Sequence, residues 1–207
     1  MAYPYSKSET WADAAVHAAG LALAIPGAVY LLVQAAPQSS AHLGATGVYA
    51  ACLLIGFLAS AVYHLCPSDA ARPLLGRIDH AAIYFKIAGT YTPFVVIMGS
   101  GFAYGVLGIV WALALLGAVA KLSFWRMDAR GSLALYLGMG WLSILLIWPM
   151  VQNLSAAAVA LVVIGGLIYS MGTRVYAHPG MRYQNAIWHG FVLAASTCLF
   201  GAVALSL

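Results

Sequence analysis

Long apolar segments, separated by short polar stretches, follow one another along the whole chain. Each segment is close to the roughly 20 residues that a helix needs to cross the hydrocarbon core of a bilayer. The pattern predicts seven transmembrane helices, over about Trp11–Gln34, Leu43–Cys66, Gly76–Met98, Phe102–Lys121, Ser132–Met150, Ser155–Thr173 and Gln184 to the C-terminus. We therefore expect an all-α fold, a seven-transmembrane helix bundle.

Polar residues and prolines set the expected boundaries of these helices. Residues 1–10 form a polar N-terminal arm, and Thr10 is the expected N-cap of the first helix. Pro93 is expected to break the far end of the third helix, and Pro149 to mark the end of the fifth. We expect residues 1–207 to form a single integral membrane domain.

Composition excludes a soluble globular protein. Apolar residues make up 64% of the chain and charged residues 7%, and the mean hydropathy is +0.93. Soluble domains average about 45–50% apolar and about 25% charged residues. The three cysteines show no CxxC spacing, so no disulfide framework is implied. The sequence contains no basic patch or glycine-rich phosphate loop, and we expect no nucleic-acid partner.

The distribution of basic residues predicts the orientation of the bundle. In a seven-span arrangement, every Lys and Arg except Lys86 falls in the N-terminal arm or in the loops after the second, fourth and sixth helices. Short loops rich in Lys and Arg stay in the cytoplasm. We therefore expect a cytoplasmic N-terminus and an outside C-terminus, which is opposite to the orientation of a G-protein-coupled receptor.

Three ionisable side chains are expected at one depth, near the cytoplasmic ends of three helices. His64 ends the second helix, Asp79 begins the third, and His189 lies just inside the seventh. Ser60 and Asn185 lie one turn before the two histidines, on the same helix faces. Ionisable groups in membrane helices are costly, and they mark a functional site by default.

Imidazole and carboxylate groups from separate helices are a plausible ligand set for zinc, which accepts His nitrogen and Asp oxygen. A catalytic zinc site also keeps one position open for water. The residues alone leave a second interpretation open. Each side chain could instead form local hydrogen bonds or extend to the membrane interface.

The remaining histidines are weaker candidates. His17 lies one turn after Asp13 on the first helix, and the spacing favours an N-terminal structural pair over a pair of ligands. His80 adjoins the aspartate of the third helix and must point about 100° away from it. His178 lies in a loop and His42 on the opposite side of the membrane, and both are expected to be solvated.

Lys86 is the one basic residue that lies away from the ends of the predicted spans. It lies seven residues after Asp79 on the same helix face, about 10 Å deeper in the bilayer by the helical rise. It could extend to the interface, pair within the bundle, or reach the polar site. The sequence does not choose among these three roles.

Four blocks of residues carry a resemblance to a known family. They are Ser60-x-x-x-His64, Asp79-His80-Ala81-Ala82-Ile83-Tyr84, Ala88-Gly89-Thr90-Tyr91-Thr92-Pro93-Phe94 and Ala186-Ile187-Trp188-His189-Gly190-Phe191-Val192-Leu193. With these blocks the chain resembles, along nearly its whole length, the bacterial hemolysin III family. That family is a branch of the progestin and adipoQ receptor (PAQR) superfamily.

The resemblance implies a zinc ion near the cytoplasmic leaflet of a bacterial plasma (inner) membrane. In the family pattern three histidines bind zinc, an aspartate holds a zinc-bound water, and a serine lies nearby. By this resemblance His64 and His189 match two of the histidines, Asp79 matches the aspartate, and Ser60 matches the serine. The position of the third histidine is occupied here by Asn185.

Asn185 leaves the expected zinc site one histidine short, because an amide is a much weaker zinc ligand than an imidazole. Zinc could still bind through His64, Asp79 and His189, or the site could be weakened or empty. A third alternative is that another histidine substitutes, the candidates being His17, His80 and His178. We expect a retained but altered metal site.

The resemblance also suggests an activity, because the superfamily is similar to ceramidases. It implies a zinc-dependent hydrolase of a lipid amide or a related lipid, with a membrane lipid as substrate or ligand. Asp79 would act as the general base, and Ser60 would help to place the attacked group. The alternative is a non-catalytic membrane-homeostasis or sensor protein with a structural or degenerate metal site. A pore-forming cytolysin is disfavoured, because the chain shows no switch from a soluble to a membrane form.

Overall fold

The computed structural model describes residues 6–123, 129–178 and 180–207. Within these ranges the chain is all-α, and seven helical segments are long and apolar enough to cross a membrane. The helices are α1 (Lys7–Ala35), α2 (Ser40–Leu65), α3 (Arg72–Met98), α4 (Gly101–Leu122), α5 (Ala129–Trp141), a short 3-10 helix (Leu142–Leu146), α6 (Ile147–Asn153), α7 (Ala156–Tyr176) and α8 (Gln184–Ala204). The predicted seven-helix architecture is confirmed.

The first helix begins earlier than predicted, so the expected N-cap at Thr10 is wrong. Ser6 is the N-cap: its hydroxyl accepts the backbone N–H of Glu9, and the Glu9 carboxylate accepts the Ser6 N–H at 2.9 Å. This reciprocal capping box satisfies two backbone donors at once, which a cap at Thr10 would not. The predicted polar arm is therefore helical from Lys7 onward. Residues 1–5 of that arm, and the basic loop at 124–128, lie outside the described residues.

Neither Pro93 nor Pro149 ends its helix, which corrects both predictions. The third helix continues past Pro93 and ends at Gly99, whose φ of 62° is the left-handed conformation that glycine adopts easily. In the fifth span the irregularity comes before Pro149, in the 3-10 helix over Leu142–Leu146. Proline cannot donate to the carbonyl four residues earlier, and here that carbonyl belongs to Leu145.

The packing order places α1 between α2 and α8, while α3 packs between α2 and α4 and α7 packs on α8. The third helix is the most deeply buried span. Glycines let the helices approach: a Cβ on Gly89 would lie 2.6 Å from the Cβ of Cys52, and one on Gly117 would lie 2.6 Å from the Tyr84 ring. Because α1 contacts both α2 and α8, side chains from the first and last spans can meet.

Large apolar side chains cover the outside of the bundle. Trp11 is 76% exposed, and Leu116 and Trp148 are each 68% exposed. An exposed apolar surface of this kind suits a lipid environment and not water. The chain is thus an integral membrane protein. The predicted direction of the termini and the single-domain organisation stay predictions.

Candidate metal centre

Polar side chains from four helices meet inside the bundle, at the end where α2 finishes and α8 begins. They are Asp13 and His17 of α1, Ser60 and His64 of α2, Asp79 of α3 and His189 of α8. Asp13, His17, Asp79 and His189 are each less than a tenth exposed. Buried polar groups are costly unless they bond to one another or to a ligand, so this cluster is the main functional candidate.

The Asp13 carboxylate is the shared partner of the three histidines. Its Oδ1 lies 2.6 Å from Nδ1 of His189 and 3.6 Å from Nδ1 of His17. Its Oδ2 lies 3.4 Å from Nδ1 of His64. The short contact to His189 is a charge-assisted hydrogen bond, which is about twice as strong as a neutral one. Asp13 therefore fixes the orientation of the His189 ring.

Hydrogen-bond partners define which nitrogen of two imidazoles carries a proton. His17 Nδ1 lies 2.8 Å from the backbone carbonyl oxygen of Asp13, and a carbonyl can only accept, so this nitrogen is the donor. His189 Nδ1 likewise donates to the Asp13 carboxylate. In a neutral imidazole the other nitrogen is an acceptor. The Nε2 atoms of both rings therefore present lone pairs.

These two lone pairs point at one hydroxyl. Ser60 Oγ lies 3.2 Å from Nε2 of His17 and 3.5 Å from Nε2 of His189. A hydroxyl has one proton, so Ser60 can donate it to one of the two nitrogens or to the Asp79 carboxylate, with which it also bonds. At least one of the two lone pairs therefore faces an oxygen without a donor. A cation near this point would be bound by both nitrogens, so the residues present fit a metal ion.

Asp13, His17 and His189 form a group that could hold a metal ion. Each offers one ligand atom, these atoms lie within 4.8 Å of one another, and all three residues are buried. Imidazole nitrogen and carboxylate oxygen suit zinc and several other divalent metals. The donor set thus supports a metal centre without establishing the identity of the metal.

His64 lies directly beside this group. Its ring centroid is 4.5 Å from that of His189 and 5.7 Å from that of His17, so imidazoles from three helices share one space. Its Nδ1 also lies 3.4 Å from Nδ2 of Asn185. Asn185 therefore contacts the site through His64, at the edge of the cluster.

A small pocket opens next to Asp13, between the beginnings of α1 and α8. Its volume of about 10 Å³ is close to that of one water molecule. Its lining residues are Glu9, Thr10, Asp13, Tyr183, Gln184, Asn185 and Ala186. The Glu9 carboxylate closes one side by accepting the backbone N–H of Tyr183 at 3.0 Å. The pocket gives water a route to the buried carboxylate.

Comparison with known proteins identifies the family of this chain. The profile of a family described as haemolysin-III related matches residues 5–200. The chain belongs to the haemolysin-III-related family. It is 37% identical over 201 residues to the "Hemolysin-3 homolog" of Bacillus subtilis (strain 168), a match that covers 96% of this chain and 94% of that protein. It is 35% identical over 197 residues to the "Hemolysin-3" of Bacillus cereus, covering 94% and 90% of the two chains.

Membership of the haemolysin-III-related family confirms the resemblance drawn from the sequence motifs, and with it the place in the PAQR superfamily. Together with the seven apolar spans it confirms an integral bacterial membrane protein. The individual ligand roles predicted for His64, Asp79, His189 and Asn185, and the catalytic role predicted for Ser60, stay predictions.

Asp13 and His17 were expected to form a local structural pair, and this expectation was incomplete. The two residues do contact each other, but they do so inside the cluster, against His189 and Ser60. The spacing in the sequence places both residues on one helix face, but it does not say which face turns inward. The buried residues of α1 continue at helical spacing through Gly20, Ala24 and Ala28, so Asp13 and His17 lie on the inward face.

Of the three histidines proposed as substitutes, only His17 reaches the cluster among the described residues. His178 bonds through Nδ1 to the Arg174 carbonyl at 2.6 Å, on an exposed turn. His80 has its ring 6.3 Å from that of Tyr63 and belongs to neither the metal group nor the contacts of Ser60. His17 therefore places a third imidazole beside those of His64 and His189.

Proposed function

We propose that this haemolysin-III family member is a zinc-dependent hydrolase of a lipid amide or a related lipid. The observation that carries the proposal is the convergence of the Nε2 atoms of His17 and His189 on Ser60. Nitrogen lone pairs gathered around one point, beside two buried carboxylates, are the arrangement that a catalytic metal needs. The choice of a lipid amide rests on the resemblance of the superfamily to ceramidases.

In this proposal His17, His64 and His189 would hold the metal. Asp13 would orient the His189 ring by accepting a hydrogen bond from its Nδ1, the nitrogen that does not bind the metal. A carboxylate that accepts the second ring N–H of a metal-binding histidine fixes its tautomer and raises its basicity. The 2.6 Å contact between Asp13 and His189 supports this role. Asn185 would then contribute only through its contact with His64, and the site would not lack an imidazole.

Zinc, when bound, lowers the pKa of a water molecule toward neutrality and polarises a carbonyl group. Asp79 is buried near Ser60 and His189, so its carboxylate is placed to accept a proton from a water molecule held there. The Ser60 hydroxyl can donate a hydrogen bond to the carbonyl oxygen of the substrate. Burial of the cluster excludes bulk water, which strengthens each of these electrostatic interactions.

The position of the cluster in the bundle supports a lipid as the substrate. The cluster lies near one end of the spans, and the surface around the bundle is apolar. A lipid can place its polar linkage at this depth while its chains remain in the hydrocarbon core. A water-soluble substrate would gain nothing from the exposed apolar flanks.

Lipid turnover by the detergent-purified protein tests the hydrolase proposal. The fatty acid released from a set of ceramide-like amides is measured for wild type, for Asp79→Asn and for Asp69→Asn, a matched change in the loop after α2. We expect wild type and Asp69→Asn to release fatty acid at similar rates. Asp79→Asn should release it at least about a hundredfold more slowly, because a general base typically contributes a factor of about 10² to 10⁴. Equal turnover in all three proteins would remove Asp79 as the base.

The second candidate is a non-catalytic membrane-homeostasis or sensor protein with a structural metal. The small size of the pocket beside Asp13, about 10 Å³, favours it, because this opening has room for water but not for a substrate group. A wild-type protein that retains metal and releases no fatty acid from any tested amide would support this candidate over the hydrolase.

A further inference from the structure

The Glu9 carboxylate bonds to two helices at once, although capping its own helix requires only one of its two oxygens. Its Oε2 accepts the backbone N–H of Ser6 at 2.9 Å and the Ser6 hydroxyl at 2.6 Å, which completes the capping box of α1. Its Oε1 accepts the backbone N–H of Tyr183 at 3.0 Å, at the beginning of α8 and 174 positions away along the chain. Glu9 therefore joins the first span to the last.

The beginning of α8 depends on this bond from outside the helix. Tyr183 is the N-cap of α8, and its own side chain forms no cap bond. Its φ of 57° is in the left-handed region, which is unfavourable for a residue with a side chain and persists where surrounding contacts hold it. The charge-assisted bond from Tyr183 to Glu9 is such a contact. The start of α8 is thus held from α1.

The same two helices are joined a second time, deeper in the bundle. Asp13 follows Glu9 by four residues on α1, or about 6 Å along the helix, and His189 follows Tyr183 by six residues on α8, or about 9 Å. Asp13 Oδ1 and His189 Nδ1 lie 2.6 Å apart. The bond between Glu9 and Tyr183 is therefore an outer connection, and it can open while the inner one stays closed.

The two connections differ in their exposure to water. Glu9 and Tyr183 are half-buried, whereas Asp13 and His189 are each less than a tenth exposed. Hydrogen bonds near solvent, with few apolar contacts around them, open more readily than buried ones. The outer connection is thus the one that opens first when the beginnings of α1 and α8 move apart.

The small pocket beside Asp13 lies between these two connections. Glu9 and Tyr183 are among its lining residues, and its volume of about 10 Å³ has room for about one water molecule. A hydrated metal ion or a reagent molecule is larger than this. Passage of either one through the pocket requires α1 and α8 to separate at their beginnings, and this separation breaks the bond between Glu9 and Tyr183.

We propose that Glu9 is a positioning residue that holds the start of α8 against α1 and so sets how fast water-borne molecules and metal ions reach the buried imidazoles. Its effect on molecules in general rests on the geometry of the two helices, and its effect on a metal rests on the proposed function. The described bonds of Glu9 are with Ser6 and Tyr183 and not with the imidazoles. Opening therefore speeds entry and exit alike and leaves the affinity for the metal unchanged.

Modification of histidines by diethyl pyrocarbonate, a reagent that reaches imidazoles from water, tests the proposal in metal-free, detergent-purified protein. Mass spectrometry gives a separate rate for each of the clustered histidines, His17, His64 and His189. We expect these rates to be about tenfold higher in Glu9→Ala than in wild type, the factor that corresponds to losing one hydrogen bond to a charged group. His42, which bonds to Ser39 away from the cluster, should react equally in both proteins.

Ser6→Ala is the control that separates the bond between helices from the capping of α1. It removes the cap hydroxyl and leaves the bond between Glu9 and Tyr183, so the clustered histidines should react as in wild type. Glu9→Gln has a single acceptor oxygen and cannot serve both partners, so we expect an intermediate rate. Thermal unfolding shows which variants are folded, and Glu9→Gln carries the test if Glu9→Ala is not. Equal rates in wild type and both Glu9 variants, or the same increase in Ser6→Ala, would overturn the proposal.

Zinc exchange extends the test to the metal. Uptake by metal-free protein and release into excess chelator are followed for wild type and Glu9→Ala. We expect both rates to rise about tenfold in Glu9→Ala, with an affinity close to that of wild type. A lower affinity with an unchanged uptake rate would make Glu9 part of the binding site and overturn its control of access. A wild type that binds no zinc would contradict the proposed function alone, and the histidine modification rates would then decide the role of Glu9.

Discussion

His189 Nδ1 lies 2.6 Å from Oδ1 of Asp13, although one residue is near the end of the chain and the other near its beginning. This contact joins the first and last spans and turns the Nε2 atom of His189 toward Ser60. The same carboxylate contacts His17 and His64. Asp13 is therefore the residue on which the geometry of the three imidazoles most depends.

Replacing Asp13 with Asn should weaken metal binding by about 10- to 100-fold, the usual cost of losing a carboxylate partner of a metal-binding histidine. The amide keeps the shape but removes the charge that holds His189. Zinc affinity measured by competition with a chromophoric chelator gives the comparison. Asp69→Asn serves as the control with the same charge change, and an affinity for Asp13→Asn equal to that of the control would contradict this role.

Replacing Asn185 with His should raise the metal affinity, because the Asn185 amide lies 3.4 Å from the His64 ring at the edge of the cluster. The new imidazole would add a nitrogen ligand to those of His17, His64 and His189, and four ligands complete the tetrahedral set that zinc prefers. The same chelator competition measures the gain, with Gln184→His as the control at the neighbouring position. An unchanged affinity would show that position 185 does not face the metal.

Ser60→Ala should leave metal binding nearly intact while lowering lipid turnover about hundredfold, the cost of removing one donor to a developing oxyanion. The hydroxyl lies between the two Nε2 atoms but is a poor ligand itself. Metal content and fatty-acid release are measured on the same preparations. Ser196→Ala, which removes a hydroxyl that bonds to Tyr169, is the control. Loss of metal from Ser60→Ala would make Ser60 a structural part of the site.

Gly117→Ala should destabilise the bundle by about 1–3 kcal/mol, because a Cβ there would lie 2.6 Å from the Tyr84 ring. Gly108→Ala is the matched control on the same helix, since a Cβ at Gly108 meets nothing within 4 Å. The control should be neutral or slightly stabilising, because alanine favours the helix. Unfolding in detergent with increasing denaturant compares the two, and equal stabilities would contradict the packing.

The seven spans were predictable because apolar length alone identifies a transmembrane helix. The exact ends of the helices were less predictable from the sequence. The capping box of Ser6 and Glu9 lies in polar sequence where hydropathy gives no signal, and the 3-10 helix over Leu142–Leu146 interrupts an apolar run that reads as one helix. Local hydrogen bonding, and not apolarity, decides these features.

For the candidate site, depth along the helices was enough to bring His64, Asp79 and His189 toward one place. The contribution of Asp13 and His17 could not be derived in the same way, because it depends on α1 packing between α2 and α8. The order of helices around a bundle is set by surface packing between spans, which periodicity does not reveal. The neighbours of Lys86 were hidden for the same reason: its Nζ lies 4.4 Å from the ring centroid of Phe57 on α2 and 5.7 Å from that of Tyr169 on α7.

Metal content of the purified protein tests the metal centre most directly. Zinc per chain is measured by elemental analysis for wild type, His17→Ala, His189→Ala and His42→Ala, whose imidazole bonds to Ser39 away from the cluster. We predict about one zinc per chain in wild type and His42→Ala, and a loss of most of it in each of the other two variants. A wild-type protein without metal, or full zinc in His17→Ala, would contradict the account.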